Sequence, residues 1–530
     1  MTIVSWNDLH GQLEPDAPFL DTGRVPAGGV IALADYVAAT RARGEPVFVL
    51  DAGDLFTGPI ESTLAEGAPV IAAYGVLGVD AAAVGNHEFD FGPVGYDRVV
   101  AEPGLDDRAG ARGPRGALLA RMSEAKFPFL AANLVTTSGE RPLWPGLQPH
   151  TIIERGGFRL GVVGYTTIET PTTTLRPNVD GLEFARDAAA RVARSVRALR
   201  DEGVDLVAIV AHASLEGDLP QTLDDKTDPH GDEARGELAE LLRAMGDALP
   251  DLVIAGHRHA WMLGRIRGVP VVSTDHHGVG FARTRFCRED GGMRLAEIER
   301  DVAFAAKEPR TGLGRQVARV VAPWIEAVGK QAAEPITNLP RLCLPHGPSG
   351  TAFAEGVAES MLERAPGRGA LPAVAVINAG GIRAALFPGP VRLRDLFAAL
   401  PFENAITTCT TTRGGLRRAL GNLVSRIATR DRFPFGIAGA RVHARRGASG
   451  ILELVAVEIP GADPAHGDDV AIDLVLPDFL LYGGDGFLEG VTCDRRRTSE
   501  IRIRDAFRTR LAREGGGCDG VPKNVLIDAN

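Results

Sequence analysis

Carboxylates and imidazoles stand in five ordered clusters in the first half of this 530-residue chain. They are Asn7-Asp8-Leu9-His10-Gly11, Asp51-Ala52-Gly53-Asp54, Gly85-Asn86-His87-Glu88-Phe89-Asp90, Ala211-His212-Ala213-Ser214 and Gly256-His257-Arg258-His259. Five of the twelve histidines fall in them, so the clustering calls for a chemical reason. Carboxylate with imidazole suits a borderline divalent cation such as Mn, Zn, Fe or Co. Asp8 and His10, two apart on an extended segment, are expected to point to one side, and His257 and His259 likewise. Asp54 can bridge two ions with its two oxygens, and Asn86 offers a neutral carbonyl oxygen. Two cations about 3.5–4 Å apart can activate a water and clamp a phosphoryl oxygen. A sixth cluster, Asp275-His276-His277-Gly278, reads as a turn or as outer support for the ligands.

Each cluster follows a short apolar run rich in Val and Ile. The runs predict strands at 2–6, 46–50, 81–85, 160–165, 205–210, 251–255 and 269–273. Helical patterns intervene, as at 188–199 and 234–244, which gives α/β layering. Loops at the carboxyl ends of such strands share one edge, where distant residues can meet. Polar, Gly-rich stretches at 104–116 and 217–232 read as loop insertions. From 314 to 331, Val317, Val320, Val321, Trp324, Ile325 and Val328 fall at helical spacing, and Pro323 is expected to bend or restart that helix. The helix leads to Glu334-Pro335. The expected organisation is a first domain at 1–312, a linker helix at 313–335 and a second domain at 336–530. The second has helices near 351–364 and 416–427, a strand near 374–377 and a strand-rich stretch at 440–476.

Three segments of the second half carry binding chemistry. Asn378-Ala379-Gly380-Gly381-Ile382-Arg383 is a strand running into a glycine turn, followed by a cation suited to phosphate. Pro401-Phe402-Glu403-Asn404 and the stretch from Phe479 through Gly483-Gly484-Asp485-Gly486 each supply an aromatic. Two aromatics on separate loops can sandwich a flat base, and an acidic residue can accept from ribose hydroxyls.

The composition, 45% hydrophobic and 24% charged, excludes a disordered or collagenous chain. The net charge of −10 without a basic block disfavours non-specific nucleic-acid binding, and no apolar run is long enough to span a bilayer. The five cysteines, Cys287, Cys343, Cys409, Cys493 and Cys518, lack C-x-x-C spacing and read as neither a disulfide framework nor a thiolate metal site. Met1 runs straight into a polar motif with no signal peptide. The cytoplasm is therefore the expected location, with export the alternative if a leader precedes residue 1.

Taken in order, Asp8-x-His10, Gly53-Asp54, Gly85-Asn86-His87-Glu88, His212 and Gly256-His257-x-His259 resemble the calcineurin-like metallophosphoesterases, and more closely the 5′-nucleotidase family. The three later segments resemble that family's C-terminal substrate domain, so the likeness covers nearly the whole chain. It implies a four-layer α/β/β/α sandwich joined by a helix to a smaller α+β domain. It implies Asp8, His10, Asp54 and His259 on one metal, with Asp54, Asn86, His212 and His257 on the other. Many members have Asn or Gln where His259 stands. The catalytic pair would be His87 and Asp90: His87, not needed in that ligand set, can donate to a phosphoryl or leaving-group oxygen, with Asp90 orienting it and favouring its protonated form. Arg383 would serve the phosphate end, Phe402 and Phe479 the base, and Asp485 the ribose, with Asn378, Gly380, Gly381 and Asn404 as further substrate-binding residues. The implied activity is release of phosphate from nucleoside 5′-monophosphates or related nucleotides, with hinge motion near 314–335. The same metal site also serves 2′,3′-cyclic nucleotide phosphodiesterases, nucleotide-sugar pyrophosphatases and thiosulfohydrolase-like enzymes. A binding protein with a spent catalytic domain fits poorly, because every ligand position is filled. Three departures are expected to weaken the phosphate clamp or add negative charge near the base: the segment 342–350, Ala379 in place of a glycine, and Glu403 in place of a glycine. The base, the metal and the oligomeric state are not legible.

Overall fold

The computed structural model describes the chain except residues 16–18, 21–22, 25, 218–233, 368, 428–431, 448–451, 463, 515–517, 519–521 and 529–530. The insertion expected at 217–232 lies, apart from Gly217, outside the described residues. The chain divides into two units, Met1–Pro171 with Asn178–Ala327, and Thr172–Pro177 with Val328–Asn530.

Two sheets build the first unit. One runs in the order Gly292–Val302, Gly280–Glu289, Thr2–Trp6, Val47–Asp51, Ala81–Ala83, Phe129–Leu130 and Leu147–Gln148. From Thr2–Trp6 onward its neighbours pair parallel. The other runs Met262–Ile266, Val269–Ser273, Leu252–Gly256, Leu206–His212, Phe158–Thr166 and His150–Arg155, with a parallel centre and antiparallel edges.

Side-chain alternation sorts these strands into layers. Ile3, Phe48, Leu50, Ala81 and Ala83 share one core with Leu160, Val162, Leu206, Ala208, Val210, Leu252 and Ile254. That core lies between the sheets. The opposite faces carry Val4, Trp6, Val47 and Val49, packed with Val30, Leu33 and Val37 of helix Gly29–Arg41. On the second sheet, Val163, Val207, Ile209 and Val253 pack with Val192, Val196 and Leu199 of helix Ala188–Asp201. The result is the four-layer sandwich, helices outside and two sheets within. Strands buried on both faces must be continuously apolar, which is why these runs stand out in the sequence.

The stretch at 104–116 contains a short 3-10 turn, Asp107–Arg112, rather than loop throughout. The helix expected to bend or restart at Pro323 is a single element, Gly312–Ala332, with the proline inside it. Val317 and Val321 are fully buried in the first unit's core, and packing of this kind offsets the one backbone donor the proline lacks.

The second unit holds a five-stranded mixed sheet in the order Phe435–Ala438, Ala373–Asn378, Ala471–Pro477, Ala405–Thr412 and Asp494–Arg502. Helices Ala352–Glu363 and Ile503–Glu514 meet through stacked Phe353 and Phe507 in one core. Leu416, Leu420 and Leu423 of helix Arg413–Ile427 fill another.

Two disulfides overturn the reading of the cysteines. Cys343 pairs with Cys518 across 175 residues, and Cys409 with Cys493 across 84. Cys409 lies on the strand Ala405–Thr412 and Cys493 immediately precedes the neighbouring strand Asp494–Arg502, so only tertiary pairing brings them together. Sequence spacing carries no trace of that. Each closes a long loop of the second unit, and removing one is expected to destabilise it by about 2–5 kcal/mol. Denaturant unfolding of Cys409→Ala/Cys493→Ala beside the parent chain measures this. Thiol titration of the unreduced, denatured chain should find Cys287 alone.

Candidate active site

Every first-half cluster lies at or just beyond the carboxyl end of a strand. Asn7–Gly11 follows Thr2–Trp6, and Asp51 ends Val47–Asp51. His212 ends Leu206–His212, and His257 follows Leu252–Gly256. Backbone pairing fastens the first two loops together: Asp8 N donates to Gly53 O (3.0 Å), His10 N to Asp54 O (2.9 Å) and Gly11 N to Leu55 O (2.7 Å).

Asp8 and His10 do not converge through strand alternation. Their φ values are +52° and +48°, and Asp54 (+61°), His257 (+83°) and His259 (+52°) are also left-handed. Non-glycine residues adopt this region at a cost and persist there when their surroundings over-determine them. The expectation of an extended segment is therefore corrected. His257 and His259 diverge, His259 joining Asp8 and His10 while His257 joins Asp54 and His212. Gly53, at φ +94°, lies where a Cβ would come within 2.9 Å of His212 Nδ1, so only glycine fits.

The donor atoms of Asp8, His10 and His259 all lie within 4.8 Å of one another, as do those of Asp54, His212 and His257. His10 Nδ1 lies 3.0 Å from Thr57 O and His212 Nδ1 2.9 Å from Ala52 O. Donation there turns each Nε2 lone pair inward. His10 Nε2 then meets His259 Nε2 at 3.0 Å, and His259 Nε2 meets Asp8 Oδ1 at 3.3 Å. Converging lone pairs of this kind are what a cation satisfies, so the donor set fits divalent metal. Asp54 Oδ2 is 2.9 Å from His212 Nε2 and 3.8 Å from His10 Nε2, a position shared by the two groups. Asn86 Oδ1 is 3.2 Å from His212 Nε2.

Burial alone would raise the Asp54 carboxyl, but His212, His87 and His10 hold it well below the usual carboxylate range. Burial would lower His212; Asp54 and Asp8 reverse this and raise it to about 10. His257 falls to about 3 through burial, with His212 pressing the same way.

His87 Nδ1 lies 2.8 Å from Asp90 Oδ2, and the His87 ring centroid is 5.2 Å from that of His10. The His87 backbone N donates to Asp54 Oδ1 at 2.9 Å.

Two supporting residues escaped the sequence reading. Buried Glu88 accepts from Gly85 N (2.7 Å), Asp54 N (3.0 Å) and Leu55 N (2.6 Å), clamping two ligand loops. Burial, with Asp54 nearby, raises its carboxyl to about 8 despite these donors. Buried Asn7 accepts from Thr274 N and Oγ1 and donates to Asp8 Oδ2 and Thr274 O. A carboxylate or amide inside an otherwise ligand-bearing loop was the available signal.

In the second unit, Asn378 Nδ2 donates to Asp485 Oδ2 at 2.7 Å, joining two of the three binding segments. Asn404 Nδ2 donates to Asp478 Oδ1 at 2.8 Å, next to Phe479. The Phe479 ring lies over Gly484, where a Cβ would come within 2.4 Å of it. Arg383 stands 5.9 Å from the Phe402 ring centroid. Glu403 does not add free negative charge: it is buried and paired with Arg504, with Arg502 at 3.7 Å. The altered segment at 342–350 is anchored through Cys343 and brings in His346. Burial lowers His346 to about 4, helped by Arg432 and Arg383, and the Arg432 guanidinium lies beside the Gly380 turn. The departing segment at 342–350 thus places the His346 imidazole close enough to Arg432 and Arg383 to be influenced by their charge.

Residues 1–261 match the model of the calcineurin-like phosphoesterases, and residues 344–490 that of the 5′-nucleotidase C-terminal domain. A relative described as "Probable 5'-nucleotidase" from Treponema pallidum is 26% identical, over 96% of this chain and 90% of the relative. Among solved structures, the 5′-nucleotidase precursor of Thermus thermophilus superimposes with TM-score 0.78 at 20% identity, covering 100% of this chain and 99% of the other. The sulfate thiohydrolase SoxB of the same organism superimposes with TM-score 0.72 at 18% identity, covering 100% and 97%. At such identities the two structures speak for the fold.

Proposed function

Since the chain belongs to the 5′-nucleotidase family, a calcineurin-like phosphoesterase domain followed by a 5′-nucleotidase C-terminal domain, we propose that it hydrolyses nucleoside 5′-monophosphates or related nucleotides at a pair of divalent cations. It is a metal-dependent phosphoric ester hydrolase. The observation that carries the finer reading is the pair of donor groups, Asp8–His10–His259 and Asp54–His212–His257, sharing Asp54 Oδ2 beside the His87–Asp90 pair. Asn86 completes the second group.

Divalent cations such as Mn, Zn, Co or Fe, when bound, supply Lewis acidity to a phosphoryl oxygen and a nucleophilic water at neutral pH. The chain's own residues do the rest. Asp90 holds His87 through Nδ1, so that Nε2–H donates to a phosphoryl or leaving-group oxygen as charge develops there. Phe402 and Phe479 hold the base, Asp485 the ribose and Arg383 the phosphate end, with Asn378 holding Asp485 on the Gly380-Gly381 turn and Asn404 steadying the Phe479 segment through Asp478.

The test is phosphate release from AMP, GMP, CMP, UMP, ADP, ATP, UDP-glucose, 2′,3′-cyclic AMP and bis-p-nitrophenyl phosphate. Each is run with Mn, Zn, Co or Mg after chelation, with a phosphatase added to reveal diester products. Metal-dependent release from a 5′-monophosphate is expected; activity confined to diesters or pyrophosphates would move the substrate class. Phe402→Ala and Phe479→Ala should each raise KM for nucleotides about tenfold with kcat little changed, given about 1–3 kcal/mol per stacked base. An unchanged KM in both would remove the base clamp.

Two disulfides are at home in an oxidising compartment. They support work outside the cytosol, which cell fractionation against a cytosolic marker would test.

A further inference from the structure

The cluster Asp275-His276-His277 is left over once both donor groups are assigned, since neither group includes it. It is nevertheless a built feature. Asp275 Oδ1 accepts from both the backbone N (2.9 Å) and Nδ1 (2.6 Å) of His276. The His276 ring lies on the ring of His259, centroids 4.6 Å apart and planes within 18°. The loop beneath is tied to the ligand-bearing loop from both sides: His277 N donates to Asp8 O at 2.8 Å, and Thr274 is held by Asn7. His277 itself has φ +58°, and its carbonyl accepts from Gly29 N at 2.8 Å.

His259 is a ligand candidate at the rim of the site, where such support matters. Its side chain is 22% exposed, against 5% for His10 and none for His212. His10 and His212 have ring orientations set by the backbone carbonyls of Thr57 and Ala52. His259 sits on left-handed backbone at the rim, where ring rotation is opposed by a flat neighbour that a carboxylate holds still. Outer partners that orient a ligating ring set how well the metal is retained.

We propose that His276, anchored by Asp275, is a positioning residue: its ring fixes the plane of His259 and thereby governs retention of the cation held by Asp8, His10 and His259. This rests on the reading of those residues as ligands.

The test compares the parent chain with His276→Ala, His276→Phe and Asp275→Ala, each loaded with Mn or Zn. Metal per chain is measured by elemental analysis, and release to a chelator is followed over time. His276→Ala should speed release of one cation about 10- to 100-fold and leave the other unchanged. Asp275→Ala should give a smaller effect of the same kind, and His276→Phe, which keeps a flat ring, should restore most of the retention. Release from His276→Ala at the parent rate would overturn the proposal alone. So would equal loss of both cations, or a His276→Phe chain as leaky as His276→Ala. A parent chain that takes up no metal would overturn the ligand reading and this proposal with it.

Discussion

His87→Ala should lower kcat by about 10²–10⁴-fold, the usual contribution of a positioned proton donor, while the chain keeps its metal. His87 belongs to neither donor group, and its Nδ1 is committed to Asp90 at 2.8 Å. Removing the imidazole leaves the backbone N of residue 87 still donating to Asp54 Oδ1, so the ligand loop keeps its anchor. Turnover with saturating Mn or Zn, together with elemental analysis of the same sample, measures both quantities. Loss of metal in step with activity would make His87 a ligand or a structural prop. Asp90→Asn should show a weaker version, because an amide can still accept from Nδ1 but does not favour the protonated ring.

Asp54→Ala should be more severe and of a different kind, with turnover at background and metal lost from both sites together. Asp54 Oδ2 is within 4 Å of Nε2 of a histidine in each group. Its carboxyl also receives the backbone of His87, so its removal loosens the catalytic segment. His212→Ala should instead lose the second cation first. Elemental analysis of the two variants separates these patterns; retention of either cation at full occupancy in Asp54→Ala would show that the carboxylate is not shared.

Much of this site is legible in the sequence, and for a physical reason. Carboxylates and imidazoles able to hold a metal are chemically conspicuous, and here they end or follow apolar strands that themselves stand out, such as Val47–Asp51 and Leu206–His212. The continuous apolar runs through Ile3-Val4 and Phe48-Val49 also announce strands buried on both faces, whereas which residue faces which layer emerges only in the fold. What escapes are relations between distant residues. Nothing in the spacing of Cys343 and Cys518 foretells their bond, and nothing in Pro-Phe-Glu-Asn reveals that Arg504 neutralises Glu403. Glu88 looks like part of a motif, yet its work is to hold the backbone of residues over thirty positions away. The backbone at Asp8 and His10 departs from the expected extended form because dihedral angles in a loop are imposed by its neighbours, here the paired Gly53–Leu55 segment.

Those dihedrals bear on how this protein can be engineered. At residues 8, 10, 54, 257 and 259 glycine would relieve about 1–3 kcal/mol of left-handed backbone strain, set against the side-chain contacts it removes. Where the strain outweighs those contacts, a library ranked by stability alone would replace the side chains proposed above as metal ligands. A thermostabilising library that is to keep the proposed metal centre therefore holds these five positions fixed, since selection by melting temperature is blind to it.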